Sequence, residues 1–464
     1  MNNEIIQKLE HERIAPLLFH YAIPAIIGTM VNALYNIVDR IFIGQGVGPM
    51  AISGLTLTFP ILLFLQAFGM LVGAGAATRI SIHLGRKAHE TAEHVLGNAL
   101  TLTLIINLAT ILPCMIFMEE LLLRFGGSEQ TLPYAMDYLY IVIPANFFAN
   151  LAFNFNAVMR ASGYPKKAMV TMMLGAILNV ILDAVFIFGF NMGIRGAAIA
   201  TALSMIACAI FVMSHFVDRK SVIRFHPRYF RLEGRIVWNI LTIGISPFSM
   251  QMAGSLVVVI MNHSLKRYGG DLAIGASGII TSVVMLIVML IIGLAQGSQP
   301  IVGFNYGARR YDRVEETLKL AIGIASAIAT LGWIISLLFP SAIVSAFTSD
   351  PELARITDRG LVLTMVAFFG VGSQIIISQF FQSIGLAWKA MFLSLSRQII
   401  FLIPGIYLLG NFWGLDGVWL SQPVSDFIAA VTAWIFLAHH KKVRERKYLI
   451  EIYLIFGRRQ IIND

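Results

Sequence analysis

Charge is what this chain has least of. Asp, Glu, Lys and Arg make up 13% of its 464 residues, against 57% hydrophobic residues, and the mean hydropathy is +0.77. A soluble domain has about a quarter of its residues charged, so a water-soluble fold is excluded. Cysteine is nearly absent. Cys114 and Cys208 both fall inside apolar runs, where a thiol acts as a small buried hydrophobe, and two of them build neither a disulfide framework nor a cysteine-rich metal site. Acids are the scarcer sign, 25 against 34 Lys and Arg. The excess of +9 does not point to nucleic acid, because the basic residues cluster in the short segments between apolar runs, as cytoplasmic loops require. The opening stretch MNNEIIQKLEHERIAPLLFH is charged and lacks a short apolar core with a small-residue cleavage site. It is expected to be a cytoplasmic amphipathic lead-in and not a removable signal peptide.

What is present is about twelve apolar segments of bilayer-crossing length, about 20 residues each. They run approximately over 15–40, 51–77, 95–117, 134–159, 168–190 and 195–216, then 236–263, 273–302, 317–339, 360–384, 389–410 and 417–439. The expected fold is an all-α polytopic membrane protein with twelve transmembrane helices. Residues 1–216 would be an N-lobe (TM1–6), 217–235 a basic cytoplasmic connector, 236–440 a C-lobe (TM7–12), and 441–464 a basic cytoplasmic tail lying on the inner leaflet. With the N-terminus inside, the inward segments hold about 25 Lys and Arg and the outward loops about 7, which predicts both termini in the cytoplasm; a bacterial inner membrane is the expected location, on the resemblance given below.

The chain repeats itself at an offset of about 222 residues. GYPKKAM from Gly163 faces GLAWKAM from Gly385, Gly85 falls on Gly307, and Glu93 falls on Glu315. At nearly the same offset Pro24 meets Pro247, Gly193 meets Gly414, and Gly196 meets Gly417. An even number of spans per half makes the repeats parallel, related by an axis along the membrane normal. Two pseudo-symmetric six-helix lobes around a central cavity is the packing this predicts.

Overlaying the halves isolates what only one of them keeps. Asp39 falls on Asn262, Asn179 on Phe401, Asp183 on Gly405 and Thr201 on Gln422. A carboxylate within a membrane helix costs roughly 2.5–3.5 kcal/mol on insertion scales, so it persists chiefly where it faces protein or water and has a task. Asn179 and Asp183, four apart, share one helix face. Oxygens from carboxylate, amide and hydroxyl suit a hard cation such as Na⁺, and the same carboxylates can take a proton. Asp39, Asn179, Asp183 and Thr201 are therefore the predicted cation or proton site. Asn32 and Asn36 on the first span, and Asn150 and Asn154 beside Asn146 on the fourth, are candidates for polar support of it, although amides at such positions often serve only as interhelical hydrogen bonds.

Arg397 and Asp426 reach similar depth from opposite sides and are expected to form a structural ion pair. Met250, Met285, Met289, Gln374 and Gln382 are candidates for a substrate cavity, methionine being an adaptable, polarizable lining. Prolines 24, 144, 247, 404 and 423 allow bending within spans. The His83, His89 and His94 set does not make a convincing metal site, so no catalytic metal and no cofactor is expected.

VNALYNIVDRIFIGQ, RASGYPKKAM, LNVILD and GAAIAT, with the paired Gly85 and Gly307 loops and the six-plus-six repeat, resemble the multidrug and toxic compound extrusion (MATE) family, in particular the bacterial branch containing the DinF and MepA pumps. The resemblance covers essentially the whole chain. It implies an antiporter in which Na⁺ or H⁺ enters as lipophilic, mostly cationic drugs or dyes leave by alternating access, and hence a part in antibiotic resistance. It also implies that Asp39, Asn179, Asp183 and Thr201 form the family's N-lobe ion site. The chain departs from the NorM branch, which carries acids in spans seven and ten, where this sequence reads VVVIMNHSL and FGVGSQIIIS. A flippase for a lipid-linked precursor in the same superfamily is the alternative. A membrane-embedded enzyme fits less well, because the acids lack a nucleophile or a metal-binding partner. Small molecules and the bilayer are the expected partners, and the expected state is a monomer.

Overall fold

The computed structural model describes residues 2–460, and among these every regular element is a helix. The first six spans are Ile14–Gly46, Met50–Gly85, His89–Ile116, Leu132–Ala161, Pro165–Gly189 and Gly193–Val217. The next three are Gly234–Gly270, Leu272–Gly307 and Tyr311–Leu338. The tenth is a broken pair, Pro351–Met365 and Phe368–Ser383, bent by 47°. Ala387–Val443 is 57 residues long, nearly three times what a 30 Å hydrocarbon layer needs. Gly414 interrupts it with φ 59° and ψ −132°, dividing it into the eleventh and twelfth spans.

The helices outrun the apolar segments that announce them. The second span reaches Gly85 rather than residue 77, because Arg79, Ser81 and His83 continue the helix beyond the stretch that hydropathy detects. Similarly, the tenth begins at Pro351, where the Asp350 side chain accepts a hydrogen bond from the Leu353 amide at 2.7 Å and caps the helix. Short helices at Met118–Arg124 and Pro340–Ser345 follow the third and ninth spans. The segment 217–235 is more than a tether. Its Tyr229 carbonyl accepts from Asn98 Nδ2 at 3.2 Å, and its Glu233 amide donates to Asn98 Oδ1 at 2.7 Å, strapping it to the third span. The backbone of the expected surface tail is helical to Gln460, while the side chains of residues 444–460 and all of 461–464 lie outside the described residues.

The duplication is recorded in the backbone. Left-handed residues recur about 222 positions apart: Gly48 with Gly270, Lys87 with Arg309, Gly163 with Gly385 and Gly193 with Gly414. The lobes meet where the second and eighth spans cross. A Cβ on Gly85 would sit 1.9 Å from the Phe304 carbonyl oxygen, and one on Gly307 would sit 2.1 Å from that of Ile82. These contacts are each other's mirror under the repeat, so the pseudo-two-fold axis passes between them. Hydrogen bonds stitch the same seam: Ser81 Oγ to the Pro300 carbonyl at 2.9 Å, Gln299 Nε2 to Thr78 Oγ1 at 3.0 Å, and Arg79 to Asn239 Oδ1 at 3.0 Å.

All these contacts lie toward the end bearing the N-terminus. The apolar core divides accordingly. One cluster unites that end of the first lobe with the second lobe, and a separate one, including Ile43, Leu65, Leu139, Ile187 and Ala197, is confined to the opposite half of the first six spans. The lobes therefore pack together over one half of their length and diverge around a central cavity over the other. Large apolar side chains such as Ile116, Val259 and Phe412 are left exposed, as lipid-facing positions require.

Candidate functional site

Asp183 ends the regular α-helix of the fifth span, and the next turn, Ala184–Gly189, is π-helical. Such single-turn departures recur at functional sites because they re-aim side chains. Asp183 is fully buried and Asp39 is 8% exposed, so neither carboxylate faces lipid. The two carboxyl groups lie within hydrogen-bonding reach of one another across the first and fifth spans. Asn179, one turn before Asp183 and also buried, donates from Nδ2 to Thr201 Oγ1 at 3.3 Å. The four predicted residues thus converge from three helices.

Their oxygens are left over. Among the described residues, Asp39 Oδ1, Asn179 Oδ1 and both oxygens of Asp183 are buried without a hydrogen-bond donor. Buried acceptors are normally paired, and a buried charge needs a counter-charge or a proton. An all-oxygen shell with two carboxyls fits a monovalent hard cation or a proton.

Tyr138 of the fourth span is the residue that sequence reasoning missed. It is buried, its hydroxyl reaches Thr201, and it lies within electrostatic range of Asp39, Asp183 and Tyr35. A signal existed: Tyr138 stands on the same four-residue register as Asn146, Asn150 and Asn154, two turns further along. Those amides do other work. Asn150 Nδ2 donates to Asn107 Oδ1 at 2.7 Å and Asn154 Nδ2 to Thr103 Oγ1 at 3.1 Å, joining the fourth span to the third. Asn32 is exposed on the first span, and the side chain of Asn36 lies outside the described residues.

In the second lobe Arg397 and Asp426 form an ion pair at 3.2 Å, with Gln422 Nε2 also donating to the carboxylate. Gln374 and Gln382 are buried, Gln374 donating to the Leu393 carbonyl at 3.4 Å. Met250 and Met285 are exposed, and Met289 is half-buried, its carbonyl accepting from Thr29.

A family model, MatE, matches the chain twice, over residues 24–185 and 243–408, once in each lobe. The chain belongs to the MatE family. This is a family of transporters, not of enzymes. Among curated relatives, the multidrug export proteins MepA of Staphylococcus haemolyticus and of Staphylococcus aureus strain MSSA476 are each 27% identical, over 97% of this chain and 100% of theirs. A multidrug resistance MATE family transporter of the MOP superfamily, solved in an outward-facing conformation, superposes with a TM-score of 0.89 at 24% identity, covering 95% of this chain and 98% of that one. A MATE protein in a bent conformation gives 0.90 at 24%, over 96% and 98%. The MatE fold thus holds from end to end.

Proposed function

We propose that this MatE protein is a cation-coupled multidrug exporter, taking in H⁺ or Na⁺ at Asp39, Asn179, Asp183 and Thr201 as lipophilic, mostly cationic drugs or dyes leave. The observation that carries the reading is the set of buried, unpartnered oxygens on Asp39, Asn179 and Asp183. Export of drugs is supported by the relatives, which are named multidrug export proteins, and the lipophilic, mostly cationic class by the family resemblance. The Lys and Arg asymmetry of the loops supports both termini in the cytoplasm, and the bacterial relatives support a bacterial inner membrane as the location. The closed end is then cytoplasmic and the cavity faces outward. The reading divides the chain into lobes 1–216 and 236–440, joined by 217–235, and takes the monomer as the working unit.

In this mechanism the carboxyls of Asp39 and Asp183 bind the entering ion and Asn179 and Thr201 complete its shell. Filling the shell removes the cost of the buried acceptors and changes which packing of the first, fifth and sixth spans is preferred. Drug leaves the outward cavity as the first lobe repacks, and ion release to the cytoplasm resets it. One charge moving through 100 mV supplies about 2.3 kcal/mol.

Ethidium efflux from everted vesicles under separate Na⁺ and pH gradients tests the reading. Export driven by one gradient and abolished in Asp183→Asn is expected. Gradient-independent export, or unchanged export in that variant, overturns the coupling role. No movement of any cationic dye would favour a lipid-linked or endogenous precursor as cargo.

A further inference from the structure

The two turns that meet on the pseudo-two-fold axis border a half-open cavity of about 410 Å³, lined by Arg86 of the first lobe and Tyr306, Gly307, Arg309 and Tyr311 of the second. Among the described residues no carboxylate lines it. Neighbouring cations are already engaged: Lys87 lies 3.9 Å from Glu10, Arg310 donates to the Glu10 carbonyl, and Arg313 donates to Asn305 and to the carbonyls of Leu9 and Glu12. Arg86 and Arg309 are exposed and, among the described residues, neither forms an ion pair. Arg309 has φ 59°, and Lys87, its counterpart under the repeat, has φ 60°. A left-handed backbone is strained for a side-chain-bearing residue. Both lobes nevertheless place a long cation there instead of glycine, which ties the cation to a use.

We propose that this cavity binds the phosphate group of an anionic ligand. Two guanidinium groups offer the forked donors that match phosphate oxygens, and phenol hydroxyls supply further donors. The volume suits a phosphate with a small organic substituent. Because its walls come from both lobes, the ligand binds the arrangement in which this end is shut, and it stabilises that arrangement by mass action. Two sources present the same chemistry at this depth: the headgroup of an anionic phospholipid, and a soluble phosphate compound.

The test uses the purified full chain and does not depend on transport. Melting temperature is followed with added inorganic pyrophosphate, and separately in nanodiscs of phosphatidylcholine with or without phosphatidylglycerol. A rise of about 2 °C or more is expected, lost in the R86A/R309A variant, or in R86Q/R309Q if the alanine pair does not fold. In a background with Cys114 and Cys208 replaced by alanine, a cysteine in place of Ser81, which is buried at the seam, should react with maleimide about fivefold more slowly when the probe is present. A response to pyrophosphate alone assigns the soluble source, to phosphatidylglycerol alone the lipid, and to both the shared phosphate chemistry. No response to either, an equal response in the double variant, or unchanged labelling overturns the proposal.

Discussion

The two lobes share a backbone and differ in how they treat a buried acid. In the second, Asp426 has a 3%-exposed side chain and meets Arg397 at 3.2 Å with Gln422 beside it, so its charge is answered within the protein. In the first, Asp39 and Asp183 meet one another, and four acceptor oxygens of the candidate site have no donor among the described residues. Duplication supplied two equivalent frames. In one an arginine answers the buried acid from within the protein, and in the other the buried acceptors have no such partner among the described residues. An internal arginine makes a strut, whereas the first lobe's acceptors suit the cation or proton site proposed above.

The sharpest way to break that contrast is Asp183→Asn, which should abolish gradient-driven dye export while the protein still inserts and purifies. Full export in vesicles would end the distinction between the lobes. Arg397→Met should act on stability instead, leaving Asp426 buried and unpaired at a cost of about 3–5 kcal/mol. Replacing both partners, Arg397→Met with Asp426→Leu, should restore most of that loss in a melting experiment. If both variants melt like the wild type, the pair is no strut. Thr201→Val should weaken apparent affinity for the coupling ion by up to about tenfold, since one neutral hydrogen-bonding group contributes about 0.5–1.5 kcal/mol. Ion titration of export measures it, and loss of maximal rate at saturating ion would contradict a purely ligating hydroxyl. Tyr138→Phe, which removes only the hydroxyl beside Thr201, should shift the same titration in the same direction. Asn150→Leu should do least, about 0.6 kcal/mol of stability with ion dependence unchanged. A changed ion response there would extend the site along the fourth span.

Much of the site was legible because an acid in a membrane span is expensive and because the second half serves as an internal control. Asp39 and Asp183 stand out once Asn262 and Gly405 are written beneath them. Tyr138 was only faintly legible: it shares the four-residue register of Asn146, Asn150 and Asn154, but a tyrosine in an apolar span is unremarkable until its hydroxyl is found beside Thr201. The amides at 150 and 154 have the opposite history: their spacing drew attention to them, and their partners proved to be Asn107 and Thr103 on the neighbouring span.

The sequence alone determined the membrane, the count of spans and the repeat, because hydropathy and an offset are local properties summed along the chain. It could not decide which end of the lobes is shut, that the π-helical turn follows Asp183, or that Arg86 and Arg309 share a cavity. The turn depends on packing within the first lobe, and the shut end and the shared cavity depend on contacts between residues more than 200 positions apart; only packing the helices against each other selects one such arrangement from the many they allow.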